Sequence, residues 1–226
     1  MKIKWYGHAC VRAESDDGIS VIMEPYTPAT CGYDPIKETA DIVITSSAND
    51  TFHCRADLIP GDHIDINALE LARNGGERVE KGITFKSIGS MEALNHRYHA
   101  PDAMAMYRFN IDGIHVGHLG DMGNPLSAEE LQFFEGLDIL LALAGGHPTI
   151  ELDDLKTLID TVQPKLVIPT HFRTLAWKPR TTLWIESFLS YFDNADVDFA
   201  FTSTVRLKQD DLPEKTRVLV LDYIRS

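Results

Sequence analysis

The first half of the chain alternates apolar and polar residues in short runs, which is typical of half-buried β-strands. The opening stretch KIKWYGHACVRAES contains two such runs joined at Gly7-His8, and GISVIMEP is a third run, which Pro25 ends. The runs DIVIT and ITFKSIGS predict two further strands. In AMAMYRFNIDGIHVGHLGD the pair Asp112-Gly113 separates two runs, and this arrangement indicates a hairpin.

The second half predicts helices that alternate with buried strands. Ser127 with Glu130 three residues later forms a capping box, which indicates the start of a helix. After the apolar run DILLAL, a second helix is expected to be capped by Thr149 and to end before Pro164. Its apolar face is expected to consist of Leu152, Leu155, Leu158, Ile159 and Val162. KLVIPTH reads as a buried strand that ends in His171. RTTLWIESFLSYF predicts a helix, and VDFAFTSTVRL and TRVLVLDYI predict the closing strands.

Length and composition favour one α/β domain over residues 1–226, because strand-rich and helix-alternating segments follow each other without a flexible linker. A hydrophobic fraction of 44% is ample for a core. The formal net charge of −13 argues against nucleic acid or an anionic membrane as a partner. A small molecule is the expected partner instead.

Cysteine usage and the start of the chain indicate a cytoplasmic protein. The three cysteines, Cys10, Cys31 and Cys54, have no regular spacing and form no CxxC pair, so no disulfide framework is expected. The N-terminal stretch MKIKWYGHAC has no apolar signal segment, and no run approaches the roughly 18 apolar residues of a membrane helix.

Residues of metal-ligand type follow three of the predicted buried strands. The strand that begins at Asp41 runs into a loop with Asp50 and His53, another ends at Asp121, and a third ends at His171. Residues just past strand ends converge on one crevice in α/β proteins, so these side chains are candidates for one site.

The motifs WYGHAC, DGIHVGHLGDMG, LSAEELQFFEGLDILLALAGGHPTIELDDL and PKLVIPTHF resemble the metallo-β-lactamase superfamily. The most similar branch is that of small metal-dependent hydrolases related to ascorbate-6-phosphate lactonase. The resemblance covers residues from Lys2 to Phe172 in order. It implies an α/β fold, a four-layer αββα sandwich of two mixed sheets flanked by helices, with the active site along one edge of the sheets.

By this resemblance, the metal-binding motif of the family is degenerate in this chain. The family carries HxHxDH at the end of the fourth strand. Its first histidine falls at Ser46, its second at Ala48, its aspartate at Asp50 and its last histidine at Thr51. Only Asp50 is retained.

Two further family ligands are present by resemblance: Asp121 matches the bridging aspartate and His171 the final histidine. Another family histidine falls in a segment where four side chains remain open, namely Met91, Glu92, His96 and His99. Asp50, Asp121 and His171 leave a three-ligand set, which His53 or His99 would complete. Such a set predicts one divalent ion, with zinc, manganese and iron all suitable, or no metal if the site is relict.

The two histidines predicted to act on the substrate are His8 and His147. His8 lies in the GHA turn, which the resemblance places at the rim of the cleft, and the alternative is an ordinary turn residue. His147 follows two glycines in AGGHPT, and glycines permit close approach of a ligand. A small phosphorylated or carboxylated molecule would meet Arg97, Arg173 or Lys178 near the rim.

The leading hypothesis is therefore a metal-dependent hydrolase that cleaves a small ester, lactone, amide or cyclic substrate through a metal-bound hydroxide. The alternative is a non-catalytic protein of the same fold that binds a ligand or partner in the old cleft, because most of the HxHxDH motif is missing. A third hypothesis keeps the enzyme without metal, with histidines as general acid and base. A homodimer is an open expectation, based on the aromatic residues of RTTLWIESFLSYF.

Overall fold

The computed structural model describes residues 1–48, 52–92 and 103–223. The strands of these residues are β1 (Lys2–Gly7), β2 (Cys10–Glu14), β3 (Ser20–Met23), β4 (Ile42–Thr45), β5 (Ile64–Asn67), β6 (Glu77–Glu80), β7 (Ile83–Met91), β8 (Ala103–Ile111), β9 (Ile114–His118), β10 (Ile139–Leu143), β11 (Leu166–Thr170), β12 (Val197–Phe199), β13 (Thr204–Arg206) and β14 (Arg217–Val220). The α-helices are α1 (Pro28–Cys31), α2 (Ala68–Arg73), α3 (Ala128–Phe133), α4 (Leu152–Val162) and α5 (Ile185–Leu189).

The strands form two mixed sheets, as predicted. The first sheet has the order β13-β1-β2-β3-β4-β5, and the second has the order β12-β14-β11-β10-β9-β8-β7-β6. In each sheet, strands that come early in the sequence pair antiparallel, and later strands pair parallel. The parallel strands include β3, β4 and β5 in the first sheet and β9, β10, β11 and β14 in the second. The carboxyl ends of the parallel strands carry the site described below.

One hydrophobic core contains side chains of both sheets. Trp5 and Ile44 of the first sheet belong to the same buried cluster as Phe85 and Leu141 of the second. A second cluster, which includes Ile22 and Trp177, covers the opposite face of the first sheet. Strands β3 and β4 are therefore buried on both faces, which explains their continuous apolar runs.

The helix patterns are confirmed where one face is apolar. In α4 the predicted stripe is buried at Leu152, Leu155, Leu158 and Ile159. The capping box is also present: Ser127 accepts from the backbone N–H of Glu130, and the Glu130 side chain accepts from the backbone of Ser127. No described helix is both long and apolar enough to span a membrane.

Three local predictions are wrong. The helix expected from Arg180 begins only at Ile185, because residues 181–184 run extended: the N–H of Leu183 donates to Gly145 O and its carbonyl accepts from Arg173. VDFAFTSTVRL forms two strands in different sheets, β12 and β13, rather than one. Thr149 does not cap α4, since its hydroxyl donates to Gly146 O and the N-cap is Glu151.

Candidate metal centre

Three residues of the site directly follow a strand and adopt left-handed backbone conformations. His8 follows β1 with φ of 49°, Glu24 follows β3 with φ of 47°, and His171 follows β11 with φ of 57°. Such values are uncommon for residues other than glycine and concentrate at functional sites. The N–H of His171 donates to the carbonyl of His8 at 2.8 Å, so the ends of β1 and β11 are joined across the two sheets.

Asp121 reaches the same place through a turn after β9 that requires glycine. Gly120 has φ of +63°, and a Cβ there would lie 2.2 Å from Met104 Cε and 2.7 Å from Ser46 Cβ. The close packing of Gly120 therefore fixes the backbone that presents the Asp121 carboxylate.

The two oxygens of Asp121 each face a histidine. His53 Nε2 lies 3.0 Å from Asp121 Oδ2, and His171 Nε2 lies 3.4 Å from Asp121 Oδ1. The ring of His8 lies against that of His171, with centroids 4.0 Å apart. His8, His53 and His171 are almost fully buried. The structure thus gathers three imidazoles and one carboxylate around one point.

Glu24 contacts His53 of this group and is not among the predicted site residues. Its Oε2 lies 2.6 Å from His53 Nδ1 and accepts from the Ser46 hydroxyl at 2.9 Å, while its Oε1 accepts from the Tyr107 hydroxyl at 2.9 Å. Because Glu24 acts as an acceptor throughout, the geometry favours a proton on His53 Nδ1, which turns Nε2 towards Asp121. The sequence signal was an acidic residue directly after a buried strand.

The structure places His53 close to the residue to which the resemblance assigns the first motif histidine. Ser46, where the resemblance places the first motif histidine, is fully buried beside Glu24 and is too small to reach the centre of the site. His53 contacts the same Glu24 oxygen and extends to Asp121. A histidine seven residues further along the chain therefore supplies an imidazole beside Ser46. The degenerate form of the motif stays a prediction.

Electrostatics keep Asp121 ionised and His8 neutral. Burial acts to raise the pKa of Asp121, but the neighbouring His53, with a contribution from His171, lowers it to about 2. Burial lowers the pKa of His8 well below its ordinary value, and His171 and His53 add to this effect. Burial also raises the pKa of the Tyr107 hydroxyl, which therefore keeps the proton that it donates to Glu24.

The donor atoms around Asp121 suit a metal ion. Two atoms that are each about 2.1 Å from a tetrahedral ion lie about 3.4 Å apart. The distances from the two histidine Nε2 atoms to Asp121, 3.0 and 3.4 Å, are close to this value. His8 Nε2 and Asp121 Oδ1 are buried and have no hydrogen-bond partner among the described residues. A cation would satisfy the carboxylate oxygen.

A second group of ligand-type atoms is formed by Glu24, His53 and Cys54, which lie within 4.8 Å of one another. The 2.6 Å between Glu24 Oε2 and His53 Nδ1 is a hydrogen-bond distance, shorter than the spacing of two ligands on one ion. This group therefore acts as the support of His53, and the Asp121 group suits a cation better.

A cavity of about 380 Å³ opens at this group. Five residues of the predicted site line it: His8, His53, Asp121, His147 and His171. Asp50 and His99, the other predicted ligands, lie outside the described residues, so their part in the site stays a prediction, as do the roles assigned to the five. The remaining wall is largely apolar.

The fold and site define a metallo-β-lactamase-like protein whose active-site edge retains a potential metal-binding group. A family model described as "Beta-lactamase superfamily domain" matches residues 2–171, and the chain is a member of that family. This confirms the superfamily inferred from the motifs. The branch related to ascorbate-6-phosphate lactonase stays a prediction.

Two relatives of this chain carry the description UPF0173, one of them as a metal-dependent hydrolase. It is 24% identical over 182 residues to a UPF0173 protein of Pyrococcus abyssi, covering 77% of this chain and 84% of the relative. It is 24% identical over 200 residues to a UPF0173 metal-dependent hydrolase of Methanocaldococcus jannaschii, covering 76% and 84%. A crystal structure of a candidate zinc-dependent hydrolase from Thermotoga maritima is 26% identical, covers 99% of both chains and superimposes with a TM-score of 0.77.

Proposed function

We propose that this protein is a hydrolase that uses one divalent metal ion, held by His53, Asp121 and His171. The observation that carries the proposal is the placement of two imidazole Nε2 atoms 3.0 and 3.4 Å from the two oxygens of a buried, ionised carboxylate. Two histidines and one carboxylate with an open side are the ligand set of several catalytic zinc sites. The same set suits iron, so zinc, manganese and iron remain the metals to test.

A bound divalent ion would lower the pKa of water to about 7 and polarise a carbonyl oxygen, which is the chemistry that hydrolysis requires. Residues of the chain would orient the ligands and contact the substrate. Glu24 holds the ring of His53 in one orientation through the 2.6 Å contact to Nδ1. His8 lies against His171 and lines the cavity, so it is suited to orient the substrate. His147 lines the cavity and is suited to contact the substrate.

The size of the cavity supports a small-molecule substrate. A volume of about 380 Å³ is at the lower end of the range for ligand pockets, roughly 300–1,000 Å³. This favours a small ester, lactone, amide or cyclic compound.

The test is the metal content of protein purified without chelators and then offered zinc, manganese or iron(II). We expect about one equivalent in the parent and loss of most of it in His53→Ala, Asp121→Ala and His171→Ala. His115→Ala is the matched control, since His115 is a half-buried histidine on β9 outside the cavity, and it should keep the full equivalent.

Absence of metal in the parent after all three soaks would overturn the proposal and favour a ligand-binding protein on the same fold. Two equivalents would overturn the single-ion site. Full metal content in His53→Ala would show that His53 is not a ligand.

A further inference from the structure

The walls of the cavity are built from flat apolar side chains. Trp177 and Phe52 lie with ring centroids 6.1 Å apart at an interplanar angle of 51°, and Pro148 and Pro179 add further apolar surface. Trp177 also stacks on His8, with centroids 4.3 Å apart and an angle of 26°. The aromatic wall therefore begins directly beside the ligand group.

This wall is preformed. Trp177 is 4% exposed, and its backbone N–H donates to the Thr174 hydroxyl at 3.2 Å, while that hydroxyl also contacts the Tyr33 hydroxyl at 2.9 Å. The next residue, Lys178, bonds through its backbone N–H to Cys31 O at 3.0 Å. A rigid aromatic face binds a planar group without the entropy cost of ordering the wall.

Charges on the described part of the wall do not favour an anionic group. Asp121 lines the cavity, whereas no lysine or arginine among the described residues does so. The two described cations named as anion contacts are engaged elsewhere: Lys178 Nζ donates to Ala29 O at 2.8 Å, and the Arg173 guanidinium lies over the ring of Trp184 at 4.7 Å. Arg97 lies outside the described residues.

From these observations we infer that the cavity selects uncharged esters, lactones or amides that carry a planar, apolar group, which packs against the wall that Phe52, Trp177, Pro148 and Pro179 form. This substrate class rests on the proposed hydrolase function. A phosphate or carboxylate on the part of the substrate that lies against the apolar wall, away from the proposed ion, would have to leave water where no described lysine or arginine compensates it, which is costly. An aromatic or unsaturated ring would instead gain contact with Trp177 and Phe52.

Binding is tested first, because it does not depend on turnover. The probes are benzamide and benzoate, which share a ring and differ in charge. Titration calorimetry measures both after a chelator has removed bound metal, so that benzoate cannot bind to the ion. We expect benzamide to bind at least about tenfold more tightly than benzoate. Trp177→Leu and Phe52→Leu should each weaken benzamide binding about five- to tenfold, since both keep apolar volume and remove the aromatic face.

The control is Trp184→Leu, which removes a tryptophan that is 40% exposed and lies outside the cavity, and it should bind benzamide like the parent. Two variants are used so that the test does not depend on the folding of Trp177→Leu. Trp177 belongs to a buried cluster, whereas Phe52 is only half-buried, so Phe52→Leu disturbs the fold less. Benzoate binding as tightly as benzamide, or unchanged benzamide affinity in both Leu variants, would overturn the inference.

Turnover separates this inference from the proposed function. Phenyl acetate should be hydrolysed with a kcat/KM at least about 100-fold higher than that of 4-carboxyphenyl acetate. Hydrolysis that favours the carboxylated ester would overturn the substrate class and leave the hydrolase intact. Benzamide binding with the expected selectivity, in a protein that takes up none of zinc, manganese and iron(II), would overturn the hydrolase proposal and support the selectivity of the cavity.

Discussion

At the scale of single residues, the site depends on backbone positions that few side chains adopt. His8, Glu24 and His171 all lie in the left-handed region directly after a strand. Each pays a local conformational cost that the surrounding sheets must outweigh. The geometry of the site therefore depends also on residues such as Glu24 and Gly120, which do not line the cavity.

Glu24→Gln should weaken metal binding about 10- to 100-fold, because the variant loses the charge that orients His53 through Nδ1. Competition with a chromophoric chelator measures the dissociation constant. Glu70→Gln, an exposed change on α2, is the control and should bind like the parent. Equal affinities in the two variants would remove Glu24 from the site.

Gly120→Ala should lower the free energy of unfolding by about 2–4 kcal/mol, from the left-handed backbone and from the new Cβ against Met104 and Ser46. Gly136→Ala separates the two causes, since Gly136 also has positive φ (+72°) but no atom within 4 Å of the new Cβ. It should cost only about 1–2 kcal/mol. Urea unfolding measures both, and equal losses would show that packing at Gly120 is not the cause.

At the scale of elements, the local sequence predicts a structure best where no other segment competes for its backbone. The capping box of α3 and the apolar stripe of α4 involve neighbours in sequence and are confirmed. The residues before α5 fail as a helix because Gly145 and Arg173 supply extended hydrogen bonds to Leu183. Propensity is a weak term that such tertiary contacts override.

Ser127→Ala should lower the free energy of unfolding by about 1 kcal/mol, because it removes the N-cap of α3. Metal content should not change, since α3 does not contribute to the cavity. Urea unfolding and metal analysis on the same samples measure both quantities. A loss of metal in this variant would mean that α3 influences the site in a way that its packing does not predict.

At the scale of the whole molecule, the proposed ion would join distant parts of the chain. His53 follows β4, Asp121 follows β9 and His171 follows β11, so the first and second sheets would share one ion. The backbone bond between His8 and His171 already connects the sheets at this point. The site is therefore expected to contribute to the stability of the fold.

Removing the metal with a chelator should lower the thermal unfolding midpoint by about 10 °C. An ion present at about 1,000 times its dissociation constant contributes about 4 kcal/mol, and each kcal/mol corresponds to roughly 2–4 °C in a protein of this size. Reloading should restore the midpoint, and scanning calorimetry follows both steps. His171→Ala should show no shift with chelator, and a shift there equal to that of the parent would place the stabilising ion elsewhere.

The sequence by itself predicted strands, hairpins, helix caps and ligand-type residues at strand ends, because such patterns are local along the chain. The resemblance of its motifs to a known family predicted the two-sheet fold, and both the fold and the family are confirmed. Only the tertiary structure decided that Glu24 and His53, 29 residues apart, form one pair, and that VDFAFTSTVRL divides between the two sheets. The physical reason is the same in both cases. The partner of a side chain depends on which strand ends meet across the core. Hydrophobic periodicity and residue spacing describe neighbours along the chain and do not specify contacts between residues that are distant in sequence.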